Sequence, residues 1–180
     1  ALASPPPYTR ARAVARFDGV MRDLVHAFKY GDRHDGRRLF SRWLLTTGRE
    51  LIETADVIVP VPLARLRLWN RRFNQAQILA KDVARLSGRT CLPHALRRVR
   101  ATTSQVGLTA DQRRRNVQGA FAVAPRSLVH VREQRVLLVD DVITTGATVG
   151  AASMALLRAG ARSVDVLALA IATETVSTAL

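Results

Sequence analysis

The stretch Val136-Leu137-Leu138-Val139-Asp140-Asp141-Val142-Ile143-Thr144-Thr145-Gly146-Ala147-Thr148 decides the reading of this chain. Its four leading apolar residues, two of them valine, suit a strand buried on both faces. Two carboxylates follow, then a hydroxyl-rich turn, then the start of a helix. Such a helix start offers unpaired amides and the positive end of the dipole. Gly146 lets the backbone approach a ligand, Thr144, Thr145 and Thr148 add hydroxyl donors, and Ala147 belongs to the same phosphate-binding turn. A phosphate monoester suits this turn. Asp140 and Asp141, at the strand end, can accept hydrogen bonds from a sugar diol and would repel a second phosphate. Phosphate at the turn and diol at the acids together describe a phosphorylated ribose.

Two other readings fit parts of the segment. Acids and threonines often do no more than cap a helix, but capping needs one such residue and five are gathered here. A strand ending in acids also occurs in nucleotide hydrolases. Those need Gly-Lys followed by Ser or Thr, and neither Lys29 nor Lys81 follows a glycine, so a P-loop ATPase is excluded.

Outward from this segment, the last third reads as a strand over 135–139, a loop over 140–147, a helix over 151–158 closed by Gly160, and a strand over 163–172. That order is one βαβ crossover, which implies parallel neighbours in a sheet covered by helices. Upstream, Asp56-Val57-Ile58-Val59 is a short buried strand ended by Pro60-Val61-Pro62. The helix after it places Ile78, Leu79, Val83 and Leu86 on one stripe, with Gly88 beyond its end. A short strand is predicted over 95–99. Residues 101–119 are polar and arginine-rich, with Thr109 and Gln112 at capping-box spacing.

The N-terminal part begins with the stiff Ser4-Pro5-Pro6-Pro7, read as a linker. Ala11, Ala13 and Ala15 alternate as a half-exposed strand, and Asp18-Gly19 turns the chain. Val20 to Phe28 follow helical spacing, and a second amphipathic helix is predicted over 37–51. These elements suggest a helical lobe or hood over 1–54 on a core over 55–180, within one domain spanning 1–180.

Length and composition agree with that reading: 180 residues, 48% of them hydrophobic, suffice for one core. No apolar run reaches the length of a membrane span. Cys91 stands alone, so no internal disulfide or cysteine-based zinc ribbon is expected, and a reducing cytoplasmic setting fits. The first residue is Ala1 and no export signal is visible, which suggests a trimmed or processed chain. The net charge is +14, from 28 basic and 14 acidic residues, and all the basic ones except Lys29 and Lys81 are arginine. Such a chain would attract polyanions such as single-stranded DNA. A GC-rich coding sequence would enrich arginine equally well. Aromatics are only 5%, so composition shows no base-stacking platform.

The segment 136–148 resembles the phosphoribosyl pyrophosphate signature of type I phosphoribosyltransferases. Further matches are Pro60-Val61-Pro62-Leu63, Arg71-Arg72-Phe73-Asn74-Gln75, Leu79-Ala80, Gln105, residues 113–116, Ala120-Phe121 and Phe28-Lys29-Tyr30-Gly31-Asp32. Through these the chain resembles the ComF competence-protein family along nearly its whole length. Arg72 stands where that family usually has glycine. Ala1 stands where the last cysteine of its N-terminal zinc module would be expected, so no zinc is expected in this chain.

The resemblance implies an α/β type I phosphoribosyltransferase-like fold, with a mainly parallel sheet flanked by helices. It implies a pyrophosphate-facing loop of Val61, Pro62, Leu63 and Arg65, with Arg67 nearby. An ordinary strand-to-helix connection fits the same residues. Residues 105–119 would form a mobile lid, with Arg71, Arg72, Asn74, Gln75, Arg113, Arg114 and Arg115 as lid or basic contacts, although such arginine runs are more often a solvated helix face. Mg²⁺ would enter with phosphoribosyl pyrophosphate, held at Asp140 and Asp141 through the ligand. The implied reaction is displacement at the anomeric carbon, with Asp140 and Asp141 as the catalytic pair and leaving-group charge met by metal and arginines. No general base is identifiable: Glu50, Glu53 and Glu133 have no distinguishing context, and His26, His34, His94 and His130 read as surface or packing residues.

Two rival functions stay open. One is a catalytically inactive competence accessory that binds single-stranded DNA and works with the DNA-uptake machinery. The other is a regulator that senses the nucleotide precursor. Oligomerisation is compatible with either.

Overall fold

The computed structural model describes residues 5–30, 35–63, 73–102 and 109–172. In chain order these hold β1 (Ala11–Arg16), α1 (Gly19–Tyr30), α2 (Asp35–Thr47), α3 (Arg49–Thr54), β2 (Val57–Pro60), α4 (Gln75–Ser87), β3 (Thr90–Cys91), β4 (Leu96–Arg98), α5 (Ala110–Val117), β5 (Phe121–Val123), α6 (Leu128–Val131), β6 (Arg135–Ile143), α7 (Ala147–Arg158) and β7 (Ser163–Ile171). Among the described residues no helix is long and apolar enough to cross a membrane.

Five strands form one sheet in the order β1-β7-β6-β2-β3, and every pairing in it is parallel. Parallel strands need crossovers, and helices on both faces supply the covering layers. Alternation along each strand divides the core in two. Val57 and Val59, Val136 and Leu138, and Val164 and Val166 face a cluster with Val149, Ala152 and Leu156 of α7. Ile58, Leu137, Val139, Leu167 and Leu169 face a second cluster with Phe40, Leu44, Leu79 and Val83 from α2 and α4. The antiparallel pair β4–β5 adds Leu96 and Phe121 to the first cluster.

The N-terminal segment takes part in this core. β1 is an edge of the main sheet, paired with β7 from Ala11↔Val166 to Arg16↔Ile171. Arg10, just before it, bonds Asp165 at 2.7 Å, Glu50 at 2.8 Å and Thr54 at 2.9 Å. From α2, Arg37 clasps the buried Asp82 carboxylate of α4 through Nε at 2.5 Å and Nη2 at 2.6 Å.

Three sequence expectations are corrected. The helix predicted over 37–51 is two helices, because Gly48 lies so close to β7 that a Cβ there would come within 2.5 Å of Leu167 Cδ2. The stripe on α4 runs through Ala76, Leu79, Ala80 and Val83, whereas Leu86 is 49% exposed. Strand β6 continues through Ile143, beyond the expected 139, because β7 is equally long and keeps pairing with it at Asp140↔Ala168, Val142↔Ala170 and Ile143↔Ile171. Gly88 closes α4 in the left-handed conformation, and the Thr109–Gln112 capping box of α5 is complete, both as read from the sequence.

Candidate functional site

Strands β2 and β6 are neighbours, and their chains leave in opposite directions. From β2 the chain passes to α4 on one face; from β6 it passes to α7 on the other. In an open α/β sheet this divergence leaves a crevice at the carboxyl ends of the two strands, where ligands bind. Here the crevice lies between the segment starting at Val61 and the segment starting at Asp140. They touch at its floor, where the Val61 amide donates to the Val139 carbonyl at 2.9 Å.

On the β6 side, Asp140 is 8% exposed and Asp141 is half-buried. Their carboxylates accept from the next amide in turn: Asp141 N at 2.8 Å from Asp140 Oδ1, and Val142 N at 2.7 Å from Asp141 Oδ1. Pairing with β7 sets Asp140 opposite Ala168 and resumes at Val142 opposite Ala170.

The turn that follows lacks the usual cap. Gly146 is the N-cap of α7, held in the left-handed conformation (φ 73°), with no side-chain cap bond and no acid in the first turn. Gly146, at the N-cap, has no side chain with which to cap α7. The start of α7 is the positive end of its dipole. Thr144 is exposed, Thr148 is half-buried, and Ala147 is 9% exposed at the helix start. The Oγ1 of Thr145 is withdrawn from solvent and has no hydrogen-bond partner.

On the β2 side, Val61 is buried, and Pro62 and Leu63 are half-buried. Asn74 holds this loop from below, its Nδ2 donating to the Val61 carbonyl at 3.0 Å. Gln75 is 3% exposed in the first turn of α4. Asn74 thus braces Val61, a role the sequence did not reveal because it depends on a thirteen-residue return of the chain. Arg65, Arg67, Arg71, Arg72 and Gln105 lie outside the described residues. Arg113, Arg114 and Arg115 sit on α5, which packs against α7. Arg114 is engaged with Asp111 of its own helix, and Arg115 is exposed. Arg100, which was not singled out, clasps the far end of α5 through the carbonyls of Asn116 and Gln118 at 2.9 and 2.7 Å.

Cys91 is set apart from this chemistry: burial pushes its thiol up to about 11, so it is protonated at neutral pH. Among the described residues no group of three or more His, Cys, Asp or Glu is gathered for a metal.

No family model matches the chain. DNA utilization protein YhgH of Escherichia coli strain K12 is 37% identical over 173 residues, covering 92% of this chain and 73% of that protein. Competence protein F of Haemophilus influenzae is 32% identical over 170 residues, covering 92% and 74%. Competence protein ComFC of Bacillus subtilis is 29% identical over 150 residues, covering 83% and 58%. Among solved structures, the allosteric regulatory enzyme of purine biosynthesis aligns with 80% of this chain at a TM-score of 0.51 and 21% identity. The glutamine phosphoribosylpyrophosphate amidotransferase of B. subtilis aligns with 80% at 0.50 and 20%. The chain spans 30% of the length of each of these two enzymes, and the likeness gives the fold alone. A phosphoribosyltransferase-type sheet with these relatives along nearly its whole length means that the chain belongs to the ComF competence-protein family.

Proposed function

We propose that this chain binds phosphoribosyl pyrophosphate with Mg²⁺ at the β2–β6 crevice and serves DNA uptake as a phosphoribosyltransferase-type protein. The observation that carries the reading is the uncapped start of α7, set at the divergence of β2 and β6 directly after two carboxylates. The amides and hydroxyls of Thr144, Thr145, Gly146, Ala147 and Thr148 would hold the 5-phosphate, and Asp140 and Asp141 the ribose diol. The loop from Val61 through Pro62 and Leu63 to Arg65 would face the pyrophosphate.

The donor set fits Mg²⁺, which is commonly held by one or two carboxylates with substrate phosphates and water completing the shell. When bound, the ion would supply positive charge beside the diol and pyrophosphate. For transfer, an acceptor lone pair would form a bond to the anomeric carbon as the bond to pyrophosphate breaks. The chain's contribution is to hold ribose and leaving group in line. Arg113 and Arg115 would help to neutralise the leaving group.

Binding and transfer are tested separately. Calorimetric titration of phosphoribosyl pyrophosphate with Mg²⁺ should give a binding isotherm for wild type and a loss of about tenfold or more for Asp140→Ala/Asp141→Ala. Equal affinities would remove the acids from the site. Pyrophosphate release across a panel of bases tests transfer, and no turnover with any base would argue for a binding protein.

The +14 charge and the relatives' names support a second reading, in which the chain binds single-stranded DNA and the ribose-phosphate site is a sensor. Exposed Arg97, Arg126, Arg132 and Arg158 add to this basic surface. Affinity for a single strand should then fall steeply between low and physiological salt. Absence of binding at low salt would exclude this reading.

A further inference from the structure

We propose that Tyr8 completes the phosphate-binding turn, its hydroxyl donating to the same phosphate that the start of α7 receives. This inference rests on the 5-phosphate site above and adds a residue that lies outside the signature segment.

Two glycines make room for Tyr8 at the turn. Gly146 and Gly150 are four residues apart at the start of α7 and therefore lie on one side of it. A Cβ built at Gly146 would meet Tyr8 Oη at 3.6 Å, and one at Gly150 would meet Pro7 Cδ at 3.7 Å. The Pro7-Tyr8 dipeptide thus lies along the smooth side of the helix, with the hydroxyl end at the turn.

Tyr8 is also well held. Thr9 N donates to Val164 O at 2.8 Å, and Val166 N to Arg10 O at 2.8 Å, so the backbone on its C-terminal side is bonded to β7. The Arg10 guanidinium ties that segment to Asp165, Glu50 and Thr54. The ring packs on the first core cluster. Packing alone would be served as well by phenylalanine. The hydroxyl is what reaches the turn, and it has no hydrogen-bond partner among the described residues. A neutral O–H donor beside the positive end of the α7 dipole and the orphaned Thr145 Oγ1 complements a phosphate oxygen.

The test is calorimetric titration of ribose 5-phosphate, and separately of unphosphorylated ribose, into wild type and Tyr8→Phe. The variant keeps the ring, so its melting midpoint should match wild type. We expect about tenfold weaker binding of ribose 5-phosphate, as for loss of a hydrogen bond to a charged group. Any affinity for unphosphorylated ribose should be unchanged. Equal affinity of both proteins for ribose 5-phosphate overturns the role of Tyr8 and leaves the α7 site standing. No binding of ribose 5-phosphate by wild type overturns the site and this inference together.

Discussion

At Thr145 the folded chain withdraws a hydroxyl from water without giving it a partner in the fold, an arrangement that costs about 1–3 kcal/mol. Thr145→Val keeps the shape and removes that cost. We expect urea unfolding to show the variant more stable by about 1 kcal/mol, with ribose 5-phosphate bound about tenfold more weakly. A variant less stable than wild type would show that the hydroxyl serves the fold instead. At this scale the sequence was most informative where the chemistry is local. Asp140, Asp141 and the residues of the turn are contiguous, so their combination could be read directly. Asn74 bracing Val61 and Tyr8 reaching Gly146 could not, because each contact joins separate parts of the chain.

Among the elements, the break between α2 and α3 is set by contact with the sheet. A single glycine costs a helix only about 1 kcal/mol, so the apolar pattern over 37–51 reads as continuous. In the fold Gly48 presses on β7, and an added Cβ would meet Leu167 Cδ2 at 2.5 Å and the Leu44 carbonyl oxygen at 2.8 Å. Gly48→Ala should therefore destabilise the protein by about 2 kcal/mol despite the better helix propensity of alanine, as overpacking does. Thermal or urea unfolding reads this directly, and a stabilised variant would mean that α2 and α3 can separate from β7 without loss.

The junction of β2 and β6 carries a pH dependence. Arg135 donates to Asp56 through its side chain, at 2.6 and 3.0 Å, and through its amide at 2.8 Å. These bonds, the side-chain ones first, hold the Asp56 carboxyl down from 3.8 to about 2. A carboxyl whose folded pKa is lowered stabilises the fold above its unfolded value and loses that contribution as pH falls through the folded one. Asp56→Asn should flatten the decline in stability between about pH 4 and 2. An unchanged acid limb would place the titration elsewhere.

For the whole molecule, the βαβ unit over β6, α7 and β7 was legible because strand and helix periods alternate cleanly along one stretch. The parallel sheet and its flanking helices follow from that unit and from the strand at β2. The place of β1 at the sheet edge was not legible. Its alternating alanines announce a strand, but its pairing with β7 joins positions 155 residues apart, such as Ala11 and Val166. The short β4–β5 pair left only a weak trace, since three-residue strands carry little periodicity. Charge was legible in amount but not in use, because arginines serve the fold as well as the surface. Arg10, Arg37 and Arg135 each hold a carboxylate across elements, whereas Arg97 and Arg126 face solvent.

The central claim is that the turn between β6 and α7 receives a sugar phosphate. The most direct measurement is a two-dimensional amide NMR titration with ribose 5-phosphate. The largest shifts should fall on the amides of residues 140–149, and they should be absent with unphosphorylated ribose. Shifts centred elsewhere, or none at saturating ligand, would contradict the account.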